Sequence, residues 1–310
     1  MKSFITTIFS LALSICVFSQ QDIQVSNFDY FSSFYNPASI TTTKNICGNL
    51  IGRNQWSGLN GRPNTGFTNV SYNYFDLVWG NVAFAKDVIG LQNNDLLKIG
   101  VAKAFPINQS TSISFGLNLN YTHYSWTSDF IPPDTPIQND FSIPNDNISG
   151  GNFDMDAGLF IRSNNLTIGL SSTHLTQPTI TEPSFSFQNK RHFYVLCGYN
   201  IDRPIGTFEN FMLAKTDVAS TQIDIKSNFW HNRGWMAGIA YRVSDAIIPM
   251  VGIQKVFGQV SIRGIYSYDI TTSKLNQYSS GSHEITIKVC LAPKTYTERY
   301  THPRHLGTWK

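Results

Sequence analysis

Ile113-Ser114-Phe115-Gly116-Leu117-Asn118-Leu119-Asn120-Tyr121-Thr122 alternates strictly. Ile113, Phe115, Leu117, Leu119 and Tyr121 share one face, while Ser114, Gly116, Asn118, Asn120 and Thr122 share the other. Successive side chains of an extended chain point to opposite sides, so this period of two marks a β-strand with one apolar and one polar face. The pattern recurs at Phe153, Met155, Ala157, Leu159 and Ile161 against Asn152, Asp154, Asp156 and Gly158. It returns at Ile223, Ile225 and Phe229 against Asp224, Lys226 and Asn228, and at Trp235, Ala237, Ile239 and Tyr241 against Gly238 and Arg242. A further case is Ile285, Ile287, Val289 and Leu291 against Glu284, Thr286 and Lys288. These runs reach about ten residues, the length at which a tilted strand crosses the hydrocarbon core of a membrane.

Extended along the chain, the same reading predicts strands over 46–53, 65–74, 79–87, 97–105, 111–124, 152–162 and 165–172. In the second half it predicts 191–200, 208–215, 221–230, 234–242, 246–256, 260–270 and 283–291, about fourteen strands in all. The even number suits an up-and-down antiparallel barrel, in which alternate connections lie on opposite rims. Connections 54–64, 88–96, 125–151, 173–190 and 271–282 are long and fall on one side. Those at 163–164, 231–233 and 257–259 are short, polar or glycine-containing, and fall on the other. Region 208–220 fits the alternation poorly.

The composition agrees with strands. Of 310 residues only 14% are charged, against about a quarter in an ordinary soluble domain, and 14% are aromatic. With a net charge of +3 and scattered basic residues, nucleic acid is not an expected partner. Lys2, the apolar run Phe4 to Phe18 and the small-residue site ending at Ser19 read as a signal peptide over 1–19. Lipid attachment at Cys16 is disfavoured by the bulky Ile15 before it. Beyond the signal no apolar run reaches about 18 residues, so only a closed barrel would span a bilayer. A soluble β-sandwich or lipocalin-like barrel shows the same alternation with its apolar face turned inward. Lipid is favoured by strand length, by the small uncharged residues of the polar face and by aromatics near strand ends: Tyr72, Tyr74 and Phe75; Tyr121, Tyr124 and Trp126; Phe229, Trp230 and Trp235.

Cleavage leaves Cys47, Cys197 and Cys290, each within a predicted strand. Three packed thiols is one reading. The other is that Cys47 and Cys290, on the first and last strands, meet at the seam where a barrel closes. No catalytic, phosphate-binding or metal-binding motif is present, so neither enzymatic activity nor a cofactor is expected. His302 and His305 lack acidic or thiol partners, a water-facing lumen accounts for Asp154 and Asp156, and His123, His174, His192 and His231 belong to separate segments.

Three stretches carry a family resemblance. They are Gln21-Asp22 with Tyr35-Asn36-Pro37-Ala38; Arg53-Asn54-Gln55-Trp56-Ser57-Gly58 with Gly61, Pro63 and Thr65; and Tyr268-Asp269 through Gly281-Ser282-His283-Glu284-Ile285. In this order they resemble the PorP/SprF proteins of Bacteroidetes type IX secretion and gliding motility. Departures are Ile23 where the family usually has Pro, and the basic tail beyond Leu291 with Lys294, Arg299, Arg304 and Lys310. The resemblance implies an outer-membrane barrel over 46–291 and a periplasmic N-terminal segment over 20–45, with the tail at 292–310. It further implies contact with outer-membrane lipid, with periplasmic ring or motor proteins, and with a secreted cargo or adhesin C-terminal domain. Candidate partner contacts are Tyr35, Asn36, Pro37, Asn54, Gln55, Trp56, His283 and Glu284, the first three lying either in the periplasm or as a plug in the lumen. A channel for hydrophobic or small solutes and a soluble secreted binding protein are the alternatives.

Overall fold

A computed structural model describes residues 22–39, 46–74, 78–127, 147–182 and 185–291. A short helix α1 (Ser32–Tyr35) precedes the strands β1 (Ile46–Asn54), β2 (Asn64–Tyr74), β3 (Val78–Ile89), β4 (Gln92–Pro106), β5 (Thr111–Trp126), β6 (Ile148–Ser163), β7 (Leu166–Thr173), β8 (Thr179–Glu182) and β9 (Phe185–Gln188). The remaining strands are β10 (His192–Arg203), β11 (Gly206–Thr216), β12 (Thr221–His231), β13 (Trp235–Arg242), β14 (Ala246–Phe257), β15 (Val260–Thr271) and β16 (Ser282–Leu291). Fourteen of them form one closed antiparallel barrel in chain order, with β1 pairing β16 at the seam, while β8 and β9 form a separate hairpin. Closure leaves no open edge, the condition under which strands can cross a bilayer.

The direction of the apolar face is resolved outward. In β4 and β5 the directly paired residues Ile99 and Leu119, and Val101 and Leu117, are each more than half exposed, whereas Asn118 and Asn120 are 1% exposed. The outer surface is therefore an oily band and the interior is lined by Asn, Ser, Thr and charged groups, the arrangement lipid demands. A sandwich or lipocalin would reverse it. Among the described residues no helix is long and apolar enough to cross a membrane.

Strand bounds differ from expectation in instructive places. The expected loop 88–96 is a two-residue turn, Gly90-Leu91, because β3 and β4 continue through polar positions such as Asn93 and Asn94 beyond the oily band. Gly90 has φ 59°, a left-handed conformation suited to glycine. The irregular region 208–220 is the full strand β11 and a tight turn. Tyr124 and Trp230 do not belong to an interfacial girdle: both are buried, because their parity places them with Thr122 and Asn228 on the lumenal face. Tyr72, Tyr121 and Trp235 do face outward, Phe75 lies outside the described residues, and the hairpin β8–β9 occupies the long connection between β7 and β10. The β14–β15 ladder skips Ile248 and Pro249 opposite Tyr268 and Asp269, as expected where proline cannot donate to a neighbouring strand.

Connections on the rim shared by β2–β3 and β4–β5 are no longer than four residues, and all the long ones lie on the opposite rim. Short turns are periplasmic and long loops external in such barrels, which orients the molecule. Cys47 and Cys290 are direct register partners and are joined by a disulfide, while Cys197 is a free thiol. Non-reducing peptide mapping of the mature protein is expected to recover one Cys47–Cys290 linked pair and a single alkylatable thiol at Cys197; three alkylated thiols would contradict the seam bond.

Candidate functional site: a lumenal plug

The described N-terminal residues 22–39 run inside the barrel. Of the two positions expected for the Tyr35-Asn36-Pro37 element, periplasm or lumen, the structure has the lumen, and the segment expected to be periplasmic is to this extent a plug. This described segment runs from the long-loop rim, where Asp22 lies beside His174 and His192, to the short-turn rim at Ser39. Its composition explains why it stays inside: Val25, Phe28, Tyr30, Phe31, Phe34, Tyr35 and Ala38 are all buried in one cluster with inward-facing apolar residues of the wall. Ile51, Phe67, Leu96, Phe160, Leu196, Leu213, Met250 and Ile265 are exceptions to the polar lumen, and they are the sockets for these rings. Phe31 and Phe34 pack edge-on against Phe67 at 4.5 and 5.5 Å, and Tyr35 stacks on Tyr194 at 5.0 Å. Burying one such ring contributes roughly 1.5–3 kcal/mol before the cost of ordering the chain.

Charges fix the plug at several heights. Near the external rim the Glu284 carboxylate accepts the backbone N–H of Ser26 at 2.7 Å and of Asn27 at 2.8 Å, and the Asn27 side-chain amide at 3.0 Å. Arg53 donates to Glu284 at 3.1 Å, to Asp269 at 2.7 Å and to the Ser26 hydroxyl at 2.8 Å. Arg242 joins Asp269 at 2.7 Å and Asp224 at 2.9 Å. Lower down, Lys226 pairs with Asp29, and Lys98 donates to the Phe34 carbonyl at 3.0 Å and to Asp156 at 2.9 Å, with its ammonium 4.0 Å above the Phe34 ring. Buried charges persist when each has an opposite partner and further hydrogen bonds, which is the case here.

The Asn36-Pro37 turn meets a bare patch of wall. Gly116 and Gly158 are register partners on β5 and β6, and Gly169 lies on β7 beside Phe160. A Cβ on Gly158 would collide with the Asn36 amide oxygen, one on Gly116 with the Pro37 backbone, and one on Gly169 would stand 3.0 Å from the Asn36 amide nitrogen. Glycine lets the two backbones approach, so Asn36 donates to the carbonyls of Leu159 and Leu170 at 3.2 and 3.3 Å and accepts from the Ala38 N–H at 2.9 Å. Gly158→Val is expected to weaken plug docking by about 1–3 kcal/mol. Gly52→Ala, at a position with open space around its Cβ, should change nothing. Protease sensitivity of residues 22–39 in detergent distinguishes the two; equal digestion of both variants would remove the cradle's role.

At the external rim His174 Nδ1 bonds Asp154 at 2.6 Å and its Nε2 faces the Asp22 carboxylate at 3.7 Å. Burial disfavours charge on His174, but the hydrogen bond to Asp154 and the nearby Asp22 carboxylate outweigh it and push its pKa up to about 9. Burial likewise opposes ionisation of Asp22, and the His174 imidazolium beside it overcomes that and holds the carboxyl well below its usual range. Both groups are therefore charged at neutral pH, an ion pair that anchors the start of the plug.

The candidate contacts separate by environment. Tyr35, Asn36, Pro37 and Glu284 are buried around the plug and meet the barrel's own chain. Asn54 bonds Asn64 and Ser57 within the first external loop, Gln55 is buried, and Trp56 lines an external cleft of about 380 Å³ with Asp22, His192, Lys215 and Asp217. His283 faces outward and its ring bonds the Tyr266 hydroxyl at 2.7 Å. Sequence reading missed Arg53, Arg242 and Asp269 as plug anchors, as well as the three glycines. A second cleft, of about 420 Å³, opens at the short-turn rim between Tyr30, Arg162, Glu209, Arg263 and Lys288. The tail, with His302 and His305, lies outside the described residues.

Against known proteins, the family model described as type IX secretion system membrane protein PorP/SprF matches residues 17–289. No curated protein matches the sequence. Among solved structures, the Ralstonia pickettii toluene transporter TbuX superimposes with a TM-score of 0.51 at 9% identity, covering 84% of this chain and 93% of that one. A Pseudomonas aeruginosa FadL homologue gives 0.50 at 9% identity, with the same coverage, and a mutant of the TodX monoaromatic hydrocarbon channel gives 0.50 at 7%, covering 84% and 94%. At such identities these likenesses speak for the outer-membrane barrel fold alone.

Proposed function

The chain belongs to the PorP/SprF family of type IX secretion system membrane proteins, and from that premise we propose that it is a plugged outer-membrane anchor of the secretion and gliding machinery. In this reading its external loops hold a secreted cargo or an adhesin C-terminal domain, and its short-turn rim engages periplasmic ring or motor proteins. The observation that carries the reading is the filled lumen: aromatic packing, the Lys226–Asp29 and His174–Asp22 pairs, and hydrogen bonds from plug groups to Glu284, Arg53 and Lys98 fasten residues 22–39 to the wall. A barrel closed in this way transmits position and force more readily than it passes solute. The work assigned to it is mechanical, and most of the charges around the plug are engaged with one another: Arg53 and Arg242 with Asp224, Asp269 and Glu284, Lys98 with Asp156, and Lys226 with Asp29.

The two rims suit different partners. Outside, the cleft beside Trp56 offers an indole, Lys215, Asp217 and Asp245, a mixed surface that fits a folded terminus or peptide. On the periplasmic side, Arg162, Arg263 and Lys288 surround a cleft with one acidic member, Glu209, beside the Asp29 of the plug, and favour an acidic partner surface. Deleting the gene is expected to abolish surface retention or export of at least one type IX substrate, or spreading on surfaces, with restoration by the intact chain. Unchanged secretion of every such substrate together with unchanged spreading would defeat the proposal. Solute uptake by purified protein in liposomes would instead support the channel alternative.

A further inference from the structure

We propose that Asp22, His174 and His192 form a binding site for a divalent transition-metal cation, zinc being the ion the ligand set suits best, which fastens the start of the plug to the external rim. The three side chains reach this place from distant parts of the sequence: the N-terminal segment, the residue after β7 and the first residue of β10. One ligand atom from each lies within 4.8 Å of the others. His174 Nε2 and Asp22 Oδ1 are 3.7 Å apart, and ligands of a tetrahedral zinc ion bound at about 2.1 Å stand roughly 3.4 Å apart. The His174–Asp22 pair already stands near that spacing, and the third ligand atom, from His192, lies within 4.8 Å of both and has to close by about 1.4 Å at most.

The surroundings resemble the outer shell of a metal site. Histidine ligands characteristically donate their remote ring N–H to a carboxylate or carbonyl, which fixes the ring and directs the other nitrogen to the ion. His174 Nδ1 meets the Asp154 carboxylate at 2.6 Å, and His192 Nδ1 meets the Lys190 carbonyl at 3.0 Å. Asp154 is itself held by the Thr176 hydroxyl at 2.7 Å and the Met155 N–H at 2.7 Å. Asp22 is held through its other oxygen by the Tyr194 hydroxyl at 2.6 Å and by Thr173 at 3.3 Å, which leaves Oδ1 toward His174. His174 adopts φ 56°, a conformation disfavoured for a residue with a side chain and found at sites where a ring must be aimed. On coordination the Nε2 proton of His174 is released to solvent, and the cation takes its place facing Asp22. Asp22 and His192 also line the external cleft, so a fourth position opens to solvent or to a carboxylate of a bound partner.

The test uses the untagged mature protein in detergent with His302→Ala and His305→Ala, so that the tail contributes no imidazole. It is stripped with chelator and titrated with Zn²⁺ by calorimetry, and with Co²⁺ by visible absorption. One equivalent of zinc and tetrahedral cobalt bands are expected. His192→Ala, which leaves the Asp22–His174–Asp154 chain in place, should weaken zinc binding at least tenfold, and Asp154→Asn should weaken it by about tenfold. Should His192→Ala fail to form a heat-modifiable barrel, Asp22→Asn, which alters the plug alone, is read instead with the same expectation. Absence of saturable zinc binding, or binding that survives His192→Ala or Asp22→Asn unchanged, would overturn the site.

Discussion

A mature chain lacking residues 22–39 conducts ions steadily through planar bilayers, while the intact protein holds a closed baseline. The expectation follows from how the parts are joined. Each barrel strand is hydrogen-bonded to two neighbouring strands, and the plug contributes no strand. Removing it therefore leaves the ladder intact, and with it the outer apolar band that lipid solvates. What it uncovers is a lumen lined by Asn69, Asn81, Asn118, Asn120, Lys98 and Asp156, groups that water hydrates well. The inward sockets Phe67, Leu96 and Phe160 lose their partners, so the emptied barrel should also unfold at lower temperature. Baselines that cannot be told apart, in preparations whose barrels are equally heat-modifiable, would mean that another element closes the pore.

The second large effect is expected at Glu284. This side chain is fully buried and binds two plug backbone N–H groups, the Asn27 amide and Arg53 at once. Glu284→Ala strands those donors and leaves Arg53 and Arg242 both leaning on Asp269. Breaking a buried ion pair from one side costs about 3–5 kcal/mol, because the orphaned charge stays desolvated. The loss should fall on plug docking: protease reaches residues 22–39, and the variant shows intermittent conductance. Thermal unfolding and proteolysis indistinguishable from the parent would show that Glu284 is not an anchor.

The oily face was easy to read because alternation is local: each residue of β5 declares its side by its own chemistry. The sockets were harder, yet they left a trace. At several inward apolar positions of the plug cluster, apolar residues occupy both parities in succession, as in Leu50-Ile51, Leu96-Leu97, Val195-Leu196 and Ile247-Ile248, whereas the Phe67 socket, between Gly66 and Thr68, carries no such doublet. Such doublets in an otherwise alternating strand signal a lumen that holds something apolar. The glycine cradle left less, because Gly116, Gly158 and Gly169 also read as ordinary small polar-face residues. Tyr124 and Trp230 were misread because their position near strand ends outweighed their parity.

The seam at Cys47 and Cys290, the four-way contact of Arg53 with Ser26, Asp269 and Glu284, and the meeting of Asp22, His174 and His192 join residues far apart in the chain. Period two, the fourteen strands of the barrel and the sorting of the long loops to one rim were determined by sequence alone, since each depends on neighbours a few residues away, whereas the strand ends were not. Which face meets lipid, that the N-terminal segment turns inward, and which charges face one another were decided only when the sheet closed. Closure fixes, for every inward side chain at once, the distances across the lumen, and no local pattern encodes those.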